Sequence, residues 1–241
     1  MLAIIKRIFK IGIVTEKYNK WQPSNRFRGQ LRYNDSTVCE GCQKCVDICP
    51  TKALMKPGSG ILINYHNCTF CGECARVCPT KTLFHSHKDK LAEFGEHLTV
   101  KLRREIKNTL GRSLHIRHLD AGSCNACDFE LTALLNPVYD LQQYGIDFVA
   151  SPRHADMLMV TGCVTHNLTQ ALKMTYAAAA EPKLVMAIGA CACGGEVFGG
   201  SYAINNGAVG KHLPVDVYVH GCPPRPAAVI QGLLKALGKM K

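Results

Sequence analysis

Hydrophobic and polar residues follow three different rhythms along this chain of 241 residues. At the start (MLAIIKRIFKIGIVT, 1–15), a helix turning about 100° per residue sets Ile4, Ile5, Ile8 and Ile11 on one face. The same turn sets Lys6, Arg7 and Lys10 on the other. A basic face against an apolar one suits a helix lying beside anionic lipid. It suits equally a helix docked on a partner subunit with its cations in water, and both readings stay open. Residues 19–38 are polar, contain Pro23 and Gly29, and predict an extended connector. Ile61, Leu62 and Ile63 predict a short strand after a Pro57-Gly58 turn. Over 88–112, Leu91, Phe94, Leu98, Leu102, Ile106 and Leu110 recur every three or four positions, with Gly111 able to close the last turn. That stripe predicts a linking helix.

From residue 113 the rhythm changes. The apolar runs LHIRHL (114–119), DMLMV (156–160), KLVMAI (183–188) and VDVYV (215–219) alternate with helical patterns. Those patterns run from Phe129 to about Leu135 with a restart after Pro137, then over 168–180 and 226–238. Strands alternating with helices predict a parallel sheet covered on both faces. Such sheets bind ligands beyond the carboxyl ends of their strands.

Composition sharpens this picture at one residue type. A hydrophobic content of 47% is ordinary for a globular protein, and no stretch approaches the ~20 apolar residues of a membrane span. The fourteen cysteines are unusual. They imply either a disulfide framework or metal ligation, and disulfides go with an exported scaffold. Lys6, Arg7 and Lys10 interrupt the apolar start, no small-residue cleavage site follows, and Arg103-Arg104 lies too far along for a twin-arginine signal. A reducing compartment and metal ligation are therefore expected. The formal charge of +11 suggests nucleic acid at first sight. Cluster thiolates offset it, however, since an oxidised cubane with four thiolates carries about −2. No aromatic-basic motif of an RNA or DNA binder is present, so no nucleic-acid partner is expected. The glycine-rich GACACGG (189–195) has no P-loop lysine.

The cysteines fall into two groups. CEGCQKCVDICP (39–50) and CTFCGECARVCP (68–79) repeat C-x2-C-x2-C-x3-C-P. This spacing wraps three corners of a cubane and sends the fourth cysteine to the other cluster. Cys39, Cys42, Cys45 and Cys78 are then one ligand set, and Cys68, Cys71, Cys74 and Cys49 the other. Zinc also binds C-x2-C pairs, but two complete copies ending at Pro50 and Pro79 argue against it. Residues 39–80 thus resemble a two-[4Fe-4S] ferredoxin domain.

The other six cysteines all follow predicted strands and so gather at one sheet edge. GSCNACDFE (122–130), SPRHAD (151–156), TGCVT (161–165), GACACGG (189–195) and HGCPPRP (220–226) resemble the electron-transfer small subunits of [NiFe] hydrogenases and the related B-type subunit of respiratory complex I. The resemblance covers about 113–238 and is nearest to the short small subunit of formate hydrogenlyase and energy-converting hydrogenases. IKRIFKIG (5–12) and FRG (27–29), ahead of the repeat, resemble the separate ferredoxin-like subunit of the same complexes. The chain reads as a fusion of the two.

The implied fold is an α+β ferredoxin-like domain followed by an α/β flavodoxin-like domain with a parallel sheet. The expected divisions are 1–38 (helix and connector), 39–87 (two-cluster domain), 88–112 (linking helix) and 113–241 (small-subunit domain). By motif, Cys124, Cys127, Cys191 and Cys222 would hold a third [4Fe-4S] cluster. The first two are adjacent in complex I, whereas Asn125 and Ala126 separate them here, as in the hydrogenases. Cys163 and Cys193 depart from the pattern. Each is either a small buried residue or an alternate ligand, and Cys191 against Cys193 as third ligand stays open. Glu130 matches an acidic position near the catalytic subunit, suiting a proton relay; a helix-start glutamate favoured by the dipole is the other reading. Arg153, His154, His166 and His220 are expected around the same edge, where hydrogen bonds to sulfur raise a cluster's potential. His220 stands where proline is usual.

The resemblance implies three [4Fe-4S] clusters relaying electrons between a donor and the Ni-Fe site of a partner hydrogenase large subunit, for H2 production or oxidation. The donor would be a ferredoxin or a formate dehydrogenase module. Integral membrane subunits would complete a complex in which this chain lies peripherally on the cytoplasmic face of the inner membrane. The alternatives are a subunit of a nickel-free, complex I-like quinone or acceptor oxidoreductase, and a stand-alone ferredoxin-type carrier or redox sensor.

Overall fold

The computed structural model describes residues 2–17, 23–34, 41–58, 60–87, 91–95 and 113–239. The amphipathic start forms helix α1 (Leu2–Ile11), none of whose residues is buried. Phe9 is 84% exposed, so the apolar face is not covered by the described residues. Just beyond it, the Thr15 hydroxyl donates to the Pro137 carbonyl at 2.9 Å and the Glu16 amide to the Val138 carbonyl at 2.8 Å.

A small α+β unit follows, with β1 (Leu31–Tyr33), α2 (Lys44–Asp47), β2 (Leu54–Met55), β3 (Leu62–Ile63), α3 (Glu73–Val77) and β4 (Leu83–His85). The expected connector therefore contains a strand. β1 pairs antiparallel with β4, Leu31 opposite His85, and β2 with β3. Leu31, Leu54, Ile61 and Leu83 pack with Cys45 and Cys74 into one small core. Much of this core is cysteine, so the unit has little apolar area with which to stabilise itself.

The larger unit is a six-stranded sheet. Its strands are β5 (Ala92–Phe94), β6 (Leu114–Asp120), β7 (Ile146–Phe148), β8 (Met157–Thr161), β10 (Leu184–Ile188) and β12 (Val217–Val219), in the order β5-β12-β10-β8-β6-β7. Every residue of β8 and β10 is buried, as continuous apolar runs in a sheet covered on both faces require. The short β9 (Val164–Thr165) and β11 (Ile204–Gly207) pair antiparallel outside it. The helices are α4 (Ala126–Ala133), α5 (His166–Ala178), α6 (Gly189–Cys193) and α7 (Pro226–Ala236), the last buried along most of its length.

Two expectations are corrected. Leu91–Gly95 is extended, not helical: β5 pairs antiparallel with β12, Ala92 opposite Val219 and Phe94 opposite Val217. The edge of β12 would otherwise present unpaired backbone groups, and β5 satisfies them while burying Leu91 and Ala92 and leaving Glu93 exposed. The rest of the predicted stripe, Leu98 to Leu110, lies outside the described residues. The sheet is consequently mixed, five parallel strands with one antiparallel edge. Numbered from β6, the parallel strands run 2-1-3-4-5. No helix among the described residues is long and apolar enough to cross a membrane.

Candidate metal centres

In the small unit, Cys39 lies outside the described residues. Of its expected companions, Cys45 is buried and Cys42 and Cys78 are part-exposed. Burial works to raise the Cys78 thiol, but the Thr80 hydroxyl at 3.5 Å and the amides of Leu83, Thr82 and Thr80 outweigh it and bring it down from 9.0 to about 7. The thiolate forms more readily there than at an ordinary cysteine.

Cys49, Cys68, Cys71 and Cys74 line one cavity, bringing together the crossed-over set. Burial, then the neighbouring Cys49 and Cys71, push the Cys68 thiol up from 9.0 to about 11. Burial and the neighbouring Cys68, Cys71 and Cys49 push Cys74 up to about 12. Thiols this close resist ionising together unless a cation compensates them, which is the condition a bound cluster supplies, so the residues fit the group. The Ala53 amide donates to Cys49 Sγ at 3.2 Å, and Arg28 Nη1 donates to the Cys71 carbonyl.

In the larger unit, four strands end at cysteine-bearing loops. Cys124 and Cys127 follow β6, Cys163 follows β8, Cys191 lies in α6 directly after β10, and Cys222 follows β12. Gly189 starts α6 at φ +87, and a Cβ there would lie 2.6 Å from Cys127 Sγ, so only glycine lets the two loops meet. Burial and then Cys191, Cys222, Asp128 and Cys124 push Cys127 up. Burial and then Cys191, Cys124 and Cys71 do the same to Cys222. Cys127 and Cys222 thus each neighbour the other three thiols of the set, and Cys222 also feels Cys71 of the preceding set. Hydrogen bonding with the Cys163 thiol, then burial, raises Cys191.

The two departing cysteines differ from each other. Cys193 Sγ turns into the core, toward the carbonyls of Ala187 at 3.5 Å and Val219 at 3.6 Å. Cys163 is buried but faces the set, its Sγ 3.7 Å from the carbonyls of both Cys191 and Gly195. A polar network missed in the sequence braces the first loop. Asp128 accepts from the Ser123 and Thr161 hydroxyls at 2.7 Å each, and His118 Nε2 lies 2.9 Å from the Thr161 hydroxyl.

Glu130 sits half-buried in α4, where burial raises its carboxyl and Arg225 draws it partly back. Phe129 is 75% exposed beside it, and Cys124 and Cys222 are exposed too, so this edge offers an apolar surface next to thiols. His166 starts α5 on the same side. Arg153 and His154 do not belong there. They precede β8, in a short 3-10 turn toward the amino ends of the strands.

The two units meet between the second and third cysteine sets. Arg26, Phe27 and Arg28 of the small unit face Cys222 and Arg225 across a cleft of about 280 Å³. Beside it, one ligand atom each of His66, Glu93 and His220 lie within 4.8 Å of one another. His66 and His220 each stand two residues ahead of a cysteine, but nothing in the sequence pairs them.

The chain matches two family models: NADH ubiquinone oxidoreductase, 20 Kd subunit, over residues 124–236, and 4Fe-4S dicluster domain over 31–91. A probable membrane-bound hydrogenase subunit of Pyrococcus furiosus is 47% identical over 131 residues, 54% of this chain and 78% of that one. Formate hydrogenlyase subunit 7 of Escherichia coli is 38% identical over 142 residues, 59% of this chain and 55% of that one. An NADH-quinone oxidoreductase subunit of Phocaeicola vulgatus is 46% identical over 122 residues, 50% of this chain and 60% of that one.

Proposed function

The chain belongs to the NADH ubiquinone oxidoreductase 20 Kd subunit family, and from that membership we propose that it relays electrons through three [4Fe-4S] clusters to the Ni-Fe site of a partner large subunit. The clusters supply the electron chemistry; the chain supplies their ligands, spacing and electrostatics. The ligand sets are Cys39, Cys42, Cys45 and Cys78; Cys68, Cys71, Cys74 and Cys49; and Cys124, Cys127, Cys191 and Cys222. The observation that carries the reading is the convergence of Cys124, Cys127, Cys191 and Cys222 at one sheet edge, with Cys222 within electrostatic range of Cys71. That gives an ordered route from the small unit to an exposed edge. The crossed-over cavity supports a ferredoxin-like small domain, and the 2-1-3-4-5 order of the parallel strands supports a flavodoxin-like large one. The small unit takes in β1 from residue 31, ahead of the expected division at 39, and the sheet unit takes in β5 (Ala92–Phe94) as well as the residues from 113.

The relatives' names span hydrogenase and quinone chemistry. The two residues between Cys124 and Cys127 favour the hydrogenase, and with it a large-subunit partner, membrane subunits, and a ferredoxin or formate dehydrogenase donor. The exposed apolar face of α1 would rest on that membrane arm, on its cytoplasmic side. Metal analysis of the native complex isolated through this chain tests the proposal. Nickel near one per chain with iron at or above ~12 is expected for three cubanes. An intact complex with iron and no nickel sinks the hydrogenase reading in favour of a quinone-linked relative.

Glu130 is the proton relay in this reading, since burial holds its carboxyl closer to neutral than an exposed glutamate. Glu130→Gln should lower H2 turnover about 100-fold or more, within the range of a lost general acid or base, with iron content and cluster EPR unchanged. Glu130→Asp should retain part of the activity. Full turnover in Glu130→Gln would leave the residue a mere helix-start glutamate.

A further inference from the structure

The His66, Glu93 and His220 cluster belongs to no cysteine set and joins three parts of the chain. His66 comes from the small unit, Glu93 from the antiparallel edge strand and His220 from the end of β12. His220 is 2% exposed. Its Nε2 lies 3.2 Å from Glu93 Oε2, yet neither ring nitrogen has a hydrogen-bond partner of acceptable geometry among the described residues. The Glu93 carboxylate offsets part of the desolvation penalty of this buried imidazole, and Nδ1 is left with no partner among the described residues.

We propose that His66, Glu93 and His220 bind a zinc ion that clamps the small unit to the sheet between the second and third cysteine sets. Two imidazoles and one carboxylate form a three-residue zinc set that leaves one position open. The approach of the ligand atoms to within 4.8 Å needs only a small inward shift to enclose an ion. His66 also carries the outer contact that orients a ligating histidine: its Nδ1 lies 3.4 Å from the Cys193 carbonyl, which leaves Nε2 for the metal. The rings of His66 and His220 sit 4.9 Å apart, with Tyr218 packed on His66 at 4.4 Å, so both imidazoles are held in place. Glu93, its side chain 48% exposed, gives the ion a way in. Zinc has no redox chemistry, so it would not compete for the electrons. Because each histidine stands two residues ahead of a cluster cysteine, the ion would fix the separation of Cys68 from Cys222.

The test uses the full chain with whatever subunits co-purify, washed with a chelator and analysed for zinc and iron. About one zinc per chain is expected, with an X-ray absorption shell of nitrogen and oxygen near 2.0–2.2 Å and no sulfur near 2.3 Å. His66→Ala should remove the zinc and leave the iron. Glu93→Gln, at an exposed position, should weaken zinc binding about tenfold or more with iron intact, and it decides the matter if His66→Ala also loses iron. Three results would overturn the proposal: absence of zinc from the wild-type chain, a sulfur shell (zinc lodged in a cysteine site), or zinc binding undiminished in Glu93→Gln. The nickel measurement above is independent of all three, so the clamp and the hydrogenase reading can fail separately.

Discussion

Replacing Cys222 with alanine should remove the third cluster alone, lowering iron from ~12 to ~8 per chain, and should abolish electron delivery to the partner. Cys222 lies on a loop at the sheet edge, and its thiol is raised by burial and by Cys191, Cys124 and Cys71. It therefore stands at the seam between the second and third sets. Three remaining thiols cannot complete a four-cysteine site, while the cavity lined by Cys49, Cys68, Cys71 and Cys74 is untouched. The EPR signals of the first two clusters should persist and that of the third should vanish. The departing cysteines make the control. Cys193→Ala should keep all the iron, because Cys193 Sγ faces the Ala187 and Val219 carbonyls inside the core. Cys163→Ala should also keep it, but lower the third cluster's potential by deleting a hydrogen-bonding thiol beside Cys191. If Cys222→Ala kept ~12 iron and Cys163→Ala did not, the ligand set would have to be redrawn with Cys163 in it.

What the sequence made legible follows from how local each signal is. The repeated cysteine spacing lies within twelve-residue runs, so Cys68, Cys71 and Cys74 could be grouped from the string, and the crossing rule added Cys49. The strands after residue 113 were legible because buried parallel strands must be continuously apolar, as MLMVT and LVMAI are. The edge strand was not. Leu91 and Phe94 fit a helical stripe, and the partner that makes Ala92–Phe94 a strand is β12, more than a hundred residues away. Arg153 and His154 were misplaced for a related reason. Proximity to a motif in sequence says nothing about which end of β8 they occupy. His66, Glu93 and His220 lay furthest out of reach, since the tertiary fold alone joins three segments that share no local pattern.

The docking of the two units yields the second large effect: Gly194→Ala should separate them while each keeps its own fold. Gly194 has φ −116, which any residue adopts, so alanine introduces no backbone strain. The obstacle is space alone. A Cβ at 194 would lie 1.7 Å from Asn67 Oδ1, a side-chain end that can swing aside. It would also lie 2.7 Å from the His66 carbonyl oxygen and 2.8 Å from its carbon, which can move only if the whole loop ahead of Cys68 retreats. Overpacking of this kind costs about 1–3 kcal/mol, or roughly a 5- to 140-fold shift against docking at 1.4 kcal/mol per decade. The residues that give must be in the small unit, because β10 and α6 behind Gly194 are buried throughout whereas the Asn64–Asn67 turn is only partly so. Iron content should therefore stay at the wild-type level. Magnetic coupling between the second and third clusters should weaken. Turnover driven through the small unit should fall, while an artificial donor reaching the third cluster directly should still work. Unchanged coupling and turnover in Gly194→Ala would mean that the contact between the His66 loop and α6 does not hold the electron path together.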